Sequence, residues 1–133
     1  MTPENRRSQP HEKQRTPIIR AFGYALEGIA YTIRTQRNMK IHLVIALCAL
    51  IAGALLRLTP AEWAIIIICI GLVIMTEMLN TAVEAIIDLV SPEYHTLAKT
   101  AKDIGAGMVL IFALLAVVAG GIVFVSAFLR LLG

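Results

Sequence analysis

Between Ile104 and Leu129 the chain carries no formal charge, and Arg130 closes the run. A helix needs about 20 predominantly apolar residues to cross the hydrocarbon of a bilayer. This one stretch is long enough to do so, and it constrains the fold more than any other feature. Two further runs precede it. Ile41 to Leu56 ends at Arg57, and Trp63 to Thr76 ends at Glu77. The first reaches spanning length when Met39 and Leu58 on its flanks are counted with His42. The second is short alone, but its helical pattern continues through Val90. The reading is an all-α integral membrane fold with spans near 39–58, 61–90 and 98–131. Composition agrees. Of 133 residues, 58% are hydrophobic and 16% charged, whereas soluble domains carry about 25% charged residues. A cleaved leader normally occupies about the first 15–30 residues, and here the first run starts later and two more follow.

Lys and Arg set the orientation. Arg6, Arg7, Lys13, Arg15, Arg20, Arg34, Arg37 and Lys40 all precede the first span. Loop 57–62 balances Arg57 against Glu62, the stretch 91–103 carries Lys99 and Lys102, and the tail has only Arg130. Basic excess marks the cytoplasmic side, so the N-terminus and the second loop are expected in the cytoplasm. The net charge of +3 favours anionic headgroups. Trp63 reads as an interfacial anchor at the outer end of the second span. Cys48 and Cys69 lie in apolar runs with no metal spacing, and read as small hydrophobes.

Residues 1–15 are polar and aperiodic, and are expected to be a disordered leader to a single domain over 16–133. Thr16-Pro17 then reads as an N-cap followed by Pro at the first helical position. Ile18, Phe22, Ala25, Leu26, Ile29 and Ile33 recur at helical spacing. The pattern predicts an amphipathic helix over 17–35 lying on the inner membrane surface.

The second span holds the chemistry. At 100° per residue, Glu84 and Asp88 each fall about 20° to either side of Glu77, and Asn80 about 60° away. Three carboxylates and an amide therefore share one stripe of an apolar helix. Ionisable groups inside a span are costly and mark function; the plainer alternative is a packed structural carboxylate or an ion pair. A span entering near Ala61 reaches the cytoplasmic boundary after about 20 residues, which leaves Glu77 just inside the hydrocarbon and Glu84 just outside. Such a spacing suits divided labour. The deeper carboxylate can take a proton from a lipid hydroxyl, and the shallower one, about 10 Å along the axis, can hold Mg²⁺ at the water side.

The following loop complements the stripe. Pro92 ends the helix within Ser91-Pro92-Glu93-Tyr94-His95, and Lys99, Lys102 and Asp103 open the third span. Lys102 can meet phosphate oxygens as a point charge, with Asp103 orienting it or accepting a hydrogen bond from a nucleotide; a solvated ion pair is the plainer alternative. There is no GxxxxGK[ST], so a P-loop is excluded. Gly105-x-Gly107, with Ala101, reads as a site of close helix packing.

These residues carry a resemblance. Glu77-x-x-Asn80-Thr81-Ala82-Val83-Glu84 with Asp88, then Glu93-Tyr94-His95, then Ala101-Lys102-Asp103, resemble the small prokaryotic diacylglycerol kinase family in order and spacing. Arg37-Asn38-Met39, Thr81 and Leu97-Ala98-Lys99 look more like its undecaprenol kinase branch. The resemblance implies a homotrimer of three-span subunits in the bacterial plasma (inner) membrane, with a cytoplasmic N-terminus and no nucleic-acid partner. It implies transfer of the γ-phosphate of MgATP to the hydroxyl of diacylglycerol or undecaprenol. Carried over by motif, Glu77 is the catalytic base and Glu84 binds Mg²⁺. Asn80 and Asp88 support the polar site, and Tyr24, Glu93, Tyr94, His95, Lys102 and Asp103 contact the nucleotide. One position departs. The family usually has Glu before Arg37-Asn38, sharing the metal with Glu84, and here it is Gln36. An amide oxygen still ligates Mg²⁺ but brings no charge; the metal site is then weaker, or water fills in, or another carboxylate such as Glu27 helps, or the chain is an inactive or catalytically weakened paralogue.

The other class is a proton- or ion-translocating subunit. Such a role calls for a carboxylate near mid-bilayer and a polar route to both faces. The carboxylates here cluster at the inner edge, and the outer halves of the spans are apolar, which weighs against transport.

Overall fold

The structure, a computed structural model, describes residues 17–133. The expected polar leader and Thr16 lie outside the described residues. Four helices follow in order: α1 (Ile18–Thr35), α2 (Arg37–Leu55), α3 (Pro60–Val90) and α4 (Thr96–Leu132). The last three are each long and apolar enough to cross a membrane. Their limits lie within a few residues of the sequence expectation. Pro17 stands at the N-cap of α1, so the helix opens at Ile18, one residue later than expected.

Antiparallel α3 and α4 form the main contact, α2 packs on α3, and α1 touches α2 and α3. At 1.5 Å per residue, α3 and α4 run about 46 and 55 Å, well beyond a hydrocarbon layer of about 30 Å. The surplus places polar residues of both helices past the apolar zone. In lipid the hydrophobic effect gives helices little reason to associate, so contact rests on close packing. Two glycines supply it. At Gly53 of α2, a Cβ would sit 2.9 Å from the Trp63 ring; at Gly105 of α4, a Cβ would sit 2.4 Å from Asn80 Oδ1. Gly107 faces open space, so the packing expected of the Gly105-x-Gly107 pair belongs to Gly105 alone. Trp63 likewise turns inward over Gly53, beside a core of Leu58, Ile66, Val123 and Ala127. Its ring serves packing at the outer end, where the sequence suggested an anchor reaching into the interface.

The outer turn is held by the backbone. Leu58 N–H donates to Gly53 O at 3.1 Å and Arg57 N–H to Ala54 O at 3.3 Å, the paired bonds of a Schellman motif. Arg57 occupies its left-handed position, at φ 53°. Thr59 then caps α3 in a reciprocal capping box with Glu62. Arg130 from the far end of α4 completes this corner, donating Nη1 to Glu62 Oε1 and Nη2 to Oε2, both at 2.9 Å.

At the inner end, α1 and α2 are separated by Gln36, whose backbone is extended at φ −96° and ψ 119°. One residue out of helical conformation is enough to turn α1 away from the spans. Ile18, Phe22 and Leu26 of α1 are exposed, and Thr32 near its end is the one buried residue of that helix. The helix thus presents an apolar face suited to an interface, tethered by its last turn.

Candidate active site

The inner half of α3 buries Thr76, Glu77, Asn80 and Thr81 together. The two threonines satisfy themselves on their own helix. Thr76 Oγ1 donates to Leu72 O and Val73 O at 2.9 Å, and Thr81 Oγ1 donates to Glu77 O at 2.8 Å. That leaves the carboxylate and the amide. Glu77 is 0% exposed. Neither of its carboxylate oxygens, nor Oδ1 of Asn80, has a hydrogen-bond partner among the described residues. Buried acceptors without donors are rare and call for an explanation. Gly105 makes the room, since any larger residue would strike Asn80 Oδ1.

Two turns farther along α3, Glu84 sits between two amides. Gln36 Nε2 donates to its Oε2 at 2.9 Å, and Asn80 Nδ2 donates to its Oε1 at 3.1 Å. The structure thus brings Gln36 and Glu84 together across 48 residues of sequence. Glu27 is exposed on α1 and has no hydrogen bond or ion pair among the described residues. No group of three or more His, Cys, Asp or Glu gathers there in a way that could hold a metal. Glu84 is the one carboxylate here, and both amides turn their nitrogens to it, so the oxygens of Gln36 and Asn80 would meet a shared cation only after the amides turn over. With that turn the set would fit a hard cation that keeps much of its water and takes one or two carboxylates from the protein.

Farther out, Asp88 is exposed and pairs with Lys102 of α4. Asp103 pairs with Lys99, one turn back on its own helix. The expectation that Asp103 orients Lys102 is therefore corrected: neighbours in a helix point about 100° apart, and each finds its partner elsewhere. Both pairs are solvent-exposed, and such pairs are weak enough to be exchanged for a ligand. In the loop, Ser91 Oγ donates to Glu93 O at 3.2 Å. His95 caps α4, with Leu97 N–H donating to its Nδ1 at 3.2 Å, which leaves Nε2 to face outward. Glu93 and Tyr94 are exposed on the same loop, and Tyr24 is exposed on α1. Within this single chain they make no contact with the buried cluster through hydrogen bonds among the described residues.

One residue escaped sequence reasoning. His42 was absorbed into the first apolar run, yet it lines an apolar cavity of about 250 Å³ between α2, α3 and α4. The signal that could have found it is the same that found Glu77, an ionisable side chain inside a span.

A bundle of three helices long and apolar enough to cross a membrane, with buried carboxylate and amide acceptors in the second half of α3 and Lys and Asp side chains beyond them, defines a membrane protein with a polar site among its spans. The comparisons with known proteins make that class specific. The sequence profile described as "Prokaryotic diacylglycerol kinase" matches residues 23–124, and the chain belongs to that family. It is 39% identical over 117 residues to the undecaprenol kinase of Bacillus subtilis (strain 168), covering 88% of this chain and 95% of that protein. It is 40% identical over 116 residues to a diacylglycerol kinase of a Synechocystis strain, covering 86% of this chain but 66% of that protein. The diacylglycerol kinase of Escherichia coli (strain K12) is 33% identical over 103 residues, with 77% and 84% covered.

Proposed function

We propose that the chain is a lipid kinase that transfers the γ-phosphate of ATP to the hydroxyl of a membrane lipid. The observation that carries this reading is Glu77, fully buried with both oxygens unpartnered beside the boundary where a lipid hydroxyl and a water-soluble nucleotide can meet. The relatives are named for undecaprenol and diacylglycerol kinases, so an alcohol of one of these two kinds is the acceptor.

In this reading Glu77 accepts the hydroxyl proton as the lipid oxygen forms its bond to Pγ, and the bond from Pγ to the bridging oxygen breaks to release ADP. Phosphoryl transfer asks the protein mainly for positioning and charge neutralisation. Glu84, with the amide oxygens of Gln36 and Asn80, would hold Mg²⁺, which when bound neutralises phosphate charge. Lys102 leaves Asp88 for a phosphate oxygen. Tyr24, Glu93, Tyr94, His95 and Asp103 contact the nucleotide from the surface helix and the inner loop. The protein works as a homotrimer in the bacterial plasma membrane, with α1 and the 91–95 loop on the cytoplasmic face.

The test is incubation of the purified protein in mixed micelles with labelled ATP and single lipid alcohols. Label in undecaprenyl phosphate or phosphatidic acid supports the reading and names the acceptor. Proton or ion flux in vesicles, with no lipid labelled, sinks it.

A further inference from the structure

The Gln36–Glu84 hydrogen bond does more than join two side chains. It fixes the register of α2 against antiparallel α3. Moving outward from that level, His42 is six residues up α2 and Glu77 is seven residues up α3. At 1.5 Å per residue these are rises of about 9 and 10 Å, so the two side chains lie at the same depth. They also lie on facing stripes. Met39, Ala46 and Gly53 are the buried residues of α2, and His42 falls on their face at helical spacing, half-buried rather than turned to lipid.

His42 is also the only strongly hydrogen-bonding side chain of the cavity between α2, α3 and α4. The rest of the lining is apolar or small, including Ala113, Ala116, Gly120 and Gly121. Small residues along one side leave a slot for a narrow hydrocarbon. Val73, at the inner part of that lining, is one turn from Glu77 on α3. Among the described residues His42 makes no side-chain hydrogen bond of its own, and the acceptor oxygens of Glu77 have no donor. A neutral imidazole offers one donor and one acceptor. A molecule that is hydrocarbon along its length and ends in one hydroxyl matches this arrangement. Its chain fills the slot and its oxygen accepts from His42; Glu77 is fully buried one turn beyond the lining, and a shift of the side chains between them brings the O–H to the carboxylate.

We propose that His42 is a positioning residue that holds the acceptor lipid's hydroxyl against Glu77, with the adjoining hydrocarbon seated in the cavity between α2, α3 and α4. This rests on the lipid-kinase reading and goes beyond it by assigning the acceptor a path and a residue.

The experiment uses the full chain in mixed micelles with undecaprenol, farnesol and diacylglycerol as separate acceptors. Turnover and KM are measured for lipid and for ATP in the parent, His42→Leu, His42→Gln and Gly121→Leu. His42→Leu is expected to raise the lipid KM about tenfold, the worth of one lost hydrogen bond, with the ATP KM unchanged. His42→Gln keeps a donor and an acceptor and is expected to restore most of that loss. Gly121 has open space where its Cβ would go, so Gly121→Leu folds and intrudes on the slot. It should weaken undecaprenol more than farnesol, again without touching ATP. A parental lipid KM in His42→Leu overturns the proposal. So does an equal rise in the lipid and ATP KM values, or failure of His42→Gln to rescue. If His42→Leu does not fold, the KM split of Gly121→Leu decides, and its absence overturns the seating. A parent that labels no lipid defeats the kinase reading itself, which is a separate result.

Discussion

Two glutamates on α3 receive opposite treatment. Glu62, at the outer end, has every oxygen matched: Oε1 by Arg130, and Oε2 by Arg130 and by the Thr59 N–H at 2.7 Å. Glu77, four turns farther in, has neither oxygen matched and no exposure to water. The chain evidently can satisfy a carboxylate where one serves the fold. Buried polar atoms without hydrogen-bond partners cost about 1–3 kcal/mol each, so a carboxyl group kept this way at Glu77 is not explained by stability. Strain of this kind collects at working sites. The outer end closes on its own side chains, and the Glu77 end leaves buried acceptors unmatched.

The sharpest way to break this comparison is Glu77→Gln. The change keeps shape and removes basicity. Turnover on the preferred lipid should fall about 10²- to 10⁴-fold, the range for losing a general base, with nucleotide affinity largely kept. The melting temperature in detergent should hold or rise, because a buried carboxylate has been neutralised. Near-parental turnover would remove the base assignment. A fall in melting temperature with turnover intact would make Glu77 a structural residue like Glu62.

The middle of the stripe gives the second test. Glu84 stands between the two regimes, matched by Gln36 and Asn80 yet still half-exposed. Glu84→Gln should weaken MgATP binding about tenfold, with partial recovery at high Mg²⁺. Gln36→Glu should do the reverse in the metal titration, since it adds charge and bidentate capacity beside Glu84. Without metal it places two carboxylates where an amide now donates. Overlaid Mg²⁺ titrations of Gln36→Glu and the parent would show that Gln36 is not at the metal.

How much of this was legible in the sequence follows the same division. The spans could be read because charge-free runs of that length have one stable home. The stripe Glu77, Asn80, Glu84, Asp88 could be read because helical spacing alone puts those residues on one face. The partners of the stripe could not. Gln36 is 48 residues from Glu84 and Arg130 is 68 from Glu62, and local periodicity holds no information at that range. Only the family resemblance pointed to Gln36. The Thr59-x-x-Glu62 capping signature, by contrast, is local and stands in the letters themselves. His42 was hidden for a different reason, since one imidazole in an apolar run reads as tolerated until a cavity and a facing carboxylate give it a role.

The third test moves to the outer end. Arg130→Met removes the clamp on Glu62 while keeping an apolar stem against α3. It should lower the melting temperature and leave the kinetic constants of lipid and ATP unchanged. Loss of activity at parental stability would mean that the outer corner communicates with the site, and the two ends could no longer be treated as separate.

The smallest effect tests whether the outer end is built for stability alone. Arg57 holds the left-handed position of the α2 Schellman turn at φ 53°, where a side chain strains the backbone and glycine does not. Arg57→Gly keeps both backbone bonds, Leu58 N–H to Gly53 O and Arg57 N–H to Ala54 O, and removes the Cβ. The left-handed conformation costs a non-glycine residue roughly 1–2 kcal/mol. The added freedom of glycine in the unfolded chain returns about 0.4–1 kcal/mol of that. The net expectation is a gain of up to about 1.6 kcal/mol in unfolding free energy, read as a small rise in melting temperature. Turnover should not move, since the turn lies at the opposite end of α3 from Glu77. A fall in stability would mean that the Arg57 side chain contributes a contact, at the membrane surface or with another copy, that outweighs its backbone strain.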